Sequence, residues 1–308
     1  MIIVNLVGGL GNQIFQLSAA LALARDKEKI VLEFGLGQTR LLSSGLPEIF
    51  AYELPSTVKH RKTKNVSSKF VSKCVGFSLR RQNSNEKGFI NFLSKRSSVL
   101  ITNCILALFY RCNLQLVCPD DLGFYSFKRT KNIFLNGYFQ TDHWASQIAP
   151  QLERLRAISS DYVMYQELAQ LEKPIVVHIR RGDYKNADTF GLLGADYYKE
   201  GITFIQHTTG LKKIWLFSDE PELAKNILPL EYRSGVRLIP ELDINSAEML
   251  EIMSLGHAFV IANSTYSWWA AYKARSHHVV APRLWFKGAN PPSRLIPVDW
   301  CLVDSNFE

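Results

Sequence analysis

A chain of 308 residues that is 47% apolar, 12% aromatic and 21% charged can bury a sizeable core, as one large domain or two ordinary ones, which excludes a disordered or low-complexity protein. The net charge of +8 is uneven: between Lys59 and Arg111 twelve basic residues face Glu86 alone, so that stretch carries +11 and the remainder −3. The protein is a near-neutral body with a basic insert, which either draws an anionic lipid surface or nucleic acid or is a solvated face.

Five cysteines (Cys74, Cys104, Cys112, Cys118, Cys301) form no C-x-x-C pair and no zinc-like spacing with histidine. An odd count in a chain this long points to reduced thiols and a cytoplasmic protein. The N-terminus lacks the basic and long apolar regions of a signal peptide. The longest apolar run, residues 99–110, is too short to span a bilayer, which leaves a core helix or a peripheral contact with the inner membrane face.

In chain order, residues 2–7 read as a strand, Gly8-Gly9-Leu10-Gly11 as a turn, and Ile14, Leu17, Leu21 and Ala24 as one face of a helix; residues 30–34 form the next strand. This βαβ unit opens an α/β domain. Periodicity fades over about 36–131, which reads as a helical and irregular insertion, and order resumes at 133–139, followed by a helix-like stretch over 141–171. Further strands are expected at 175–179, 214–217, 236–239, 258–262 and 278–281, with helices at 195–207, 221–228, 246–255 and 265–274 between them. Pro221 suits a first helical turn and Asn245 or Ser246 a cap. The alternation predicts parallel, doubly wound sheets in two halves, residues 1–150 and 151–308, facing a cleft.

Four stretches carry chemistry. In Pro174-Ile175-Val176-Val177-His178-Ile179-Arg180-Arg181-Gly182-Asp183-Tyr184 a buried strand runs into two arginines, where ligands of open α/β sheets bind. Guanidinium forks match phosphate oxygens, so Arg180 and Arg181 are candidate diphosphate ligands; the alternative is that Arg181 simply pairs with Asp183 across the turn. In Ala262-Asn263-Ser264-Thr265-Tyr266-Ser267-Trp268-Trp269 a strand ends and a helix begins, offering amides and hydroxyls to a phosphate, or an ordinary serine cap. Phe217-Ser218-Asp219-Glu220 places a carboxylate at another strand end, where it can accept hydrogen bonds from a base or ribose, or open a helix. Gly8-Gly9-Leu10-Gly11-Asn12-Gln13 resembles a dinucleotide fingerprint, with Glu33 ending the next strand, but Ile14 stands where the third glycine belongs. The turn is expected to set the amides of Asn12 and Gln13 at the mouth of the cleft instead.

With "GGLGNQIFQ" at 8–16, "HIRRGDY" at 178–184, "FSDE" at 217–220 and "NSTYSWWAA" at 263–271, the chain resembles the α1,2-fucosyltransferases, which transfer fucose from GDP-fucose to the 2-hydroxyl of a galactose. The resemblance implies a GT-B-like fold of two Rossmann-like halves, the acceptor side in the first and the donor nucleotide in the second. It implies an inverting transfer with no cofactor and no metal, and the sequence contains no D-x-D. By the resemblance His178 and Asp219 (with Ser218 beside it) face guanine, and Arg180, with Arg181, holds the β-phosphate. Asn263, Ser264, Thr265 and Tyr266 close on the phosphates, and Asn12, with Gln13, lies near the reacting centre. The general base is Asp183 by first choice, with Asp188 and Asp142 open. Two other readings stand beside this one: an NAD(P) oxidoreductase built on the first βαβ unit, and a membrane-surface or nucleic-acid binder using residues 59–111, although no nucleic-acid partner is expected of a transferase.

Overall fold

The computed structural model describes residues 1–35, 38–62, 97, 114–117, 132–145, 148, 154–186, 190–240, 242–287, 292 and 294–308. The chain divides into two compact units, Met1–Arg154 with Pro292–Leu295, and Leu155–Pro291 with Ile296–Glu308.

In the first unit β1 (Ile2–Asn5), β2 (Ile30–Phe34), β3 (Val58–Lys62), β4 (Leu114–Val117) and β5 (Asn132–Leu135) form a parallel sheet in the order β3-β2-β1-β5-β4. β1 lies between β2 and β5, with Ile2 in register with Ile30 and Ile133, and every residue of these three strands is buried. Continuous apolar runs are what a strand covered on both faces requires. α1 (Leu10–Leu23) lies against β1 and β2 and buries Ile14, Phe15 and Leu17, and a short α2 (Asp142–Ala145) follows β5.

Two expectations for this unit change. The stretch read as a helical and irregular insertion contains two strands, β3 and β4. β3 escaped notice because it neighbours β2 alone, so only Val58 is buried while Lys59, His60, Arg61 and Lys62 are exposed. An edge strand with a charged surface carries little hydrophobic signal. Nor does one helix run from 141 to 171. α2 ends at Ala145, and a separate helix in the second unit, α3 (Ser160–Glu172), starts behind Ser159, whose side chain accepts the Tyr162 amide. The apolar run 99–110, most of the basic stretch 59–111, and Cys74, Cys104, Cys112 and Cys118 lie outside the described residues. Among the described residues no helix is long and apolar enough to cross a membrane.

The second unit continues with β6 (Ile175–Ile179), α4 (Ala195–Thr209), β7 (Ile214–Ser218), α5 (Pro221–Ile227), α6 (Leu230–Arg233), β8 (Val236–Leu238), α7 (Ser246–Met253), β9 (Ala258–Val260), α8 (Thr265–Ala274), β10 (Val279–Pro282) and β11 (Cys301–Val303). Its sheet, β11-β10-β9-β6-β7-β8, is parallel throughout and reproduces the Rossmann order, with the direction of winding reversing between β6 and β9. Pro221 occupies the first turn of α5, and Asn245 caps α7 by accepting the amides of Ala247 and Glu248. α6 and β11 were not foreseen: one is a single turn without a buried residue, the other an edge strand of three residues.

The core between α4 and the sheet includes Tyr197, Ile202, Ile205, Val177 and Val260. Gly201 lets α4 approach closely: a Cβ there would stand 2.9 Å from Val260 and 3.1 Å from Val280. Gly201→Ala is therefore expected to destabilise the protein by about 1–3 kcal/mol through overpacking, read as a lower denaturation midpoint. An unchanged midpoint would show that helix and sheet are not in tight contact there.

Candidate active site

The second sheet brings three of the sequence motifs to one edge. β6 ends at Ile179 and delivers Arg180, β7 ends at Ser218 and delivers Asp219, and β9 is followed by Asn263 and Ser264 at the start of α8. β7 and β9 flank β6, so these groups converge outside the carboxyl ends of the strands at the point where winding reverses.

Arg180 is the centre of this cluster. Its Nε and Nη2 donate to Asp183 Oδ1 at 3.0 and 2.7 Å, and its Nη1 lies 3.2 Å from Asp219 Oδ2. Its Cζ stands 5.7 Å from the centre of the Tyr184 ring. Asp219 also accepts the Arg181 amide at 3.0 Å, and Gly182 makes room for it, because a Cβ there would lie 2.5 Å from Asp219 Oδ2.

The two arginines part company. Arg181 turns to Glu308, which accepts its Nη1 at 3.0 Å on both carboxylate oxygens. The expected alternative, Arg181 paired with Asp183, is corrected: Asp183 belongs to Arg180. The backbone gives the reason. Lys185 donates its amide to the Arg181 carbonyl, opening a tight 3-10 turn (Asp183–Asn186) that folds Asp183 back over Arg180. Glu308 is held beside Arg181 by its own amide, which bonds to Leu192 O, and by the pairing of Leu193 with Phe307. Nothing local in the sequence marks Glu308, which sits 127 positions from its partner.

His178 is 4% exposed at the end of β6, and among the described residues its Nδ1 has no partner. Burial first, and the Arg180 charge second, hold its pKa down at about 3, so the ring is neutral. A neutral, buried imidazole with an unused nitrogen is suited to a hydrogen bond from or to a ligand. The Tyr266 ring lies 6.4 Å away and is fixed through its hydroxyl, which donates to Ser246 O.

Several of the expected ligand residues also hold the backbone of the site. Asn263 is buried, and its Nδ2 donates to Phe190 O at 2.7 Å and Trp285 O at 3.1 Å. Ser264 realises the cap alternative, its Oγ accepting the Tyr266 amide, and Thr265 is the first residue of α8. Ser218 Oγ accepts the Glu220 amide. In the first unit Gln13 does not stand at any opening. It is fully buried, its Nε2 donating to Gly8 O and Arg40 O while its Oε1 accepts the Ile49 amide. The backbone amides of Asn12 and Gln13 both bond to Gly9 O. The Asn12 side chain is half-buried and accepts Gln140 Nε2 at 3.1 Å. Asp142 pairs with Arg294 in the first unit, and Asp188 lies outside the described residues.

The dinucleotide fingerprint fares poorly. Ile14 is fully buried, and Glu33 is buried with Arg61 Nε 3.2 Å from its carboxylate, so neither is presented to a ribose. Among the described residues no three His, Cys, Asp or Glu side chains form a group able to hold a metal ion.

The model of the family described as Glycosyl transferase family 11 matches residues 96–285. The O-antigen biosynthesis glycosyltransferase WbnK of Escherichia coli is 29% identical over 316 aligned positions, covering 96% of this chain and 98% of that protein. A galactoside 2-alpha-L-fucosyltransferase of Caenorhabditis elegans is 26% identical over 164, covering 49% of this chain and 46% of its own length. Among solved structures, the glycosyl transferase family 9 protein from Veillonella parvula DSM 2008 superposes with a TM-score of 0.50 at 11% identity, covering 98% of this chain and 86% of that one. The last is a likeness of fold, a GT-B-like pair of Rossmann-like units.

The depressed His178 pKa makes a prediction about acid stability. The unfolded imidazole binds a proton near pH 6.5 and the folded one only near 3, so between these values the unfolded state binds more protons and stability falls as pH falls. His178→Phe should flatten the pH dependence of the melting temperature between pH 6.5 and 4 by about one proton's worth. An identical acid slope in the variant would show that the ring titrates normally.

Proposed function

The chain belongs to glycosyl transferase family 11, and from that premise we propose that it transfers L-fucose from GDP-fucose to the 2-hydroxyl of a galactose, in an oligosaccharide or a lipid-linked glycan. Its relatives by name act in O-antigen biosynthesis and in galactoside 2-fucosylation, which supports both donor and acceptor. The second unit takes the donor nucleotide and the first the acceptor. The reaction is placed in the cytoplasm, with the +11 stretch between Lys59 and Arg111 drawing the enzyme to an anionic membrane surface.

One observation carries the reading: Arg180 stands at the reversal point of the second sheet beside the buried, neutral His178. A guanidinium has five N–H groups; on Arg180 two are unengaged and the Nε–Nη2 edge is held only by the exposed Asp183, which leaves them within reach of phosphate oxygens. His178 and Asp219 lie on the same edge for the base, and the α8 N-terminus, with Ser264, Thr265 and Tyr266, for the phosphates.

The acceptor oxygen forms its bond to the anomeric carbon as the bond to the β-phosphate oxygen breaks, with inversion, and GDP leaves with the electron pair. Negative charge grows on the β-phosphate, so Arg180 binds the transition state more tightly than the ground state and no metal is needed. The acceptor proton passes to a carboxylate, Asp183 by first choice, while Asn12 in the first unit orients the acceptor.

Arg180→Ala should lower turnover by about 10²–10³-fold, in line with loss of an oxyanion donor; near-normal turnover would remove Arg180 from the mechanism. Thermal stabilisation compared across GDP, UDP, CMP, NAD and GDP-fucose should single out GDP and GDP-fucose, with NAD protection the contrary result. A chelator should leave product formation intact. Full dependence on manganese would end the metal-independent reading.

A further inference from the structure

We propose that Arg180 is held by two fixed partners and one exchangeable one: with Asp219, Tyr184 is a positioning residue that keeps the guanidinium in place while the donor diphosphate takes over the position of Asp183. This rests on the reading of Arg180 as the phosphate ligand.

The starting point is charge. Without ligand, Arg180 contributes one positive charge against the two carboxylates of Asp183 and Asp219. A nucleoside diphosphate arriving at that guanidinium adds more negative charge a few ångströms from both, and like charges packed there repel. One carboxylate has to move.

The surroundings identify which. Asp219 is 23% exposed, bonded to the Arg181 amide and wedged against Gly182, so it has no room to swing. Asp183 is 59% exposed, and among the described residues its carboxylate hydrogen-bonds only to Arg180. Its single oxygen Oδ1 accepts both Nε and Nη2, the edge of the guanidinium that also suits phosphate oxygens. Asp183 therefore acts as a stand-in for phosphate, and once displaced it is a free carboxylate.

Losing Asp183 would leave Arg180 held by Asp219 through Nη1 alone unless something uncharged also held it. Tyr184 does so. Its ring lies under the guanidinium at 5.7 Å and stacks on Phe190 at 4.5 Å and 16°. Its hydroxyl donates to Asn263 O at 3.0 Å, and Asn263 in turn grips Phe190 O. The ring is thus anchored on the Phe190 ring and the hydroxyl on backbone, neither through Asp183. A neutral aromatic face attracts the cation without competing for the phosphate.

Calorimetric titration of GDP into the full chain and four variants tests this. Asp183→Asn should bind GDP roughly twofold to fivefold more tightly, the range for removing one exposed competing ion pair. Tyr184→Leu should bind about threefold to tenfold more weakly, and Tyr184→Phe, which keeps the ring, should restore most of that loss. Opposite signs at neighbouring positions are the signature. Weaker or unchanged binding in Asp183→Asn would make Asp183 a permanent clamp and overturn the proposal, as would a Tyr184→Phe variant as poor as Tyr184→Leu. Should Tyr184→Leu fail to fold, the sign of the Asp183→Asn effect decides. Arg180→Ala keeps the two ideas apart: it must weaken GDP binding, and if it does not, the donor assignment itself has failed.

Discussion

The Arg180 guanidinium, set between two carboxylates at the carboxyl edge of the second sheet, is the contact on which the candidate site depends. Arg180 emerges where β6 stops, so its backbone is fixed by a buried central strand of the sheet. Asp219 comes from β7, Asp183 from the turn after β6, and the Tyr184 hydroxyl reaches the segment that precedes α8. Two strand ends therefore meet on one side chain and a third reaches it through Tyr184, and their adjacency follows from the strand order.

The polar residues of the motifs divide into those that face outward and those that hold the backbone in shape. Asn263 gathers the carbonyls of Phe190 and Trp285, fixing the loops beside α8. In the first unit Gln13 and Gln16 do the same for the glycine turn, Gln16 bridging the Val7 amide and Gly137 O. A buried carboxamide with all its bonds internal is costly to replace, because each removed partner strands a backbone group. Such residues hold the backbone that carries the motifs.

The regular strands were legible from their unbroken apolar runs: β2 and β6 fall at the bounds read from sequence, and α8 does likewise. Edge strands were not. β3 and β11 bury little, so the pattern that betrays β1 is missing from them. Of the candidate site, the convergence of Arg180, Asp219 and Ser264 could be inferred from strand ends. The division of labour between Arg180 and Arg181 could not, since it depends on a turn that folds Asp183 backward and on Glu308, far away in the chain. The roles of Gln13 and Asn263 were equally hidden, because a sequence shows that an amide is present and not which carbonyl it will find.

The path of the chain near its end has a consequence for biogenesis. Pro292–Leu295 belongs to the first unit, and Leu295 is fully buried, although it follows almost all of the second unit in sequence. On the ribosome the first unit must wait, missing a piece of its interior, until most of the second has been translated. Both bodies therefore gain their last segments within the final stretch of synthesis, so maturation of this protein is not the early closing of the first module followed by the second.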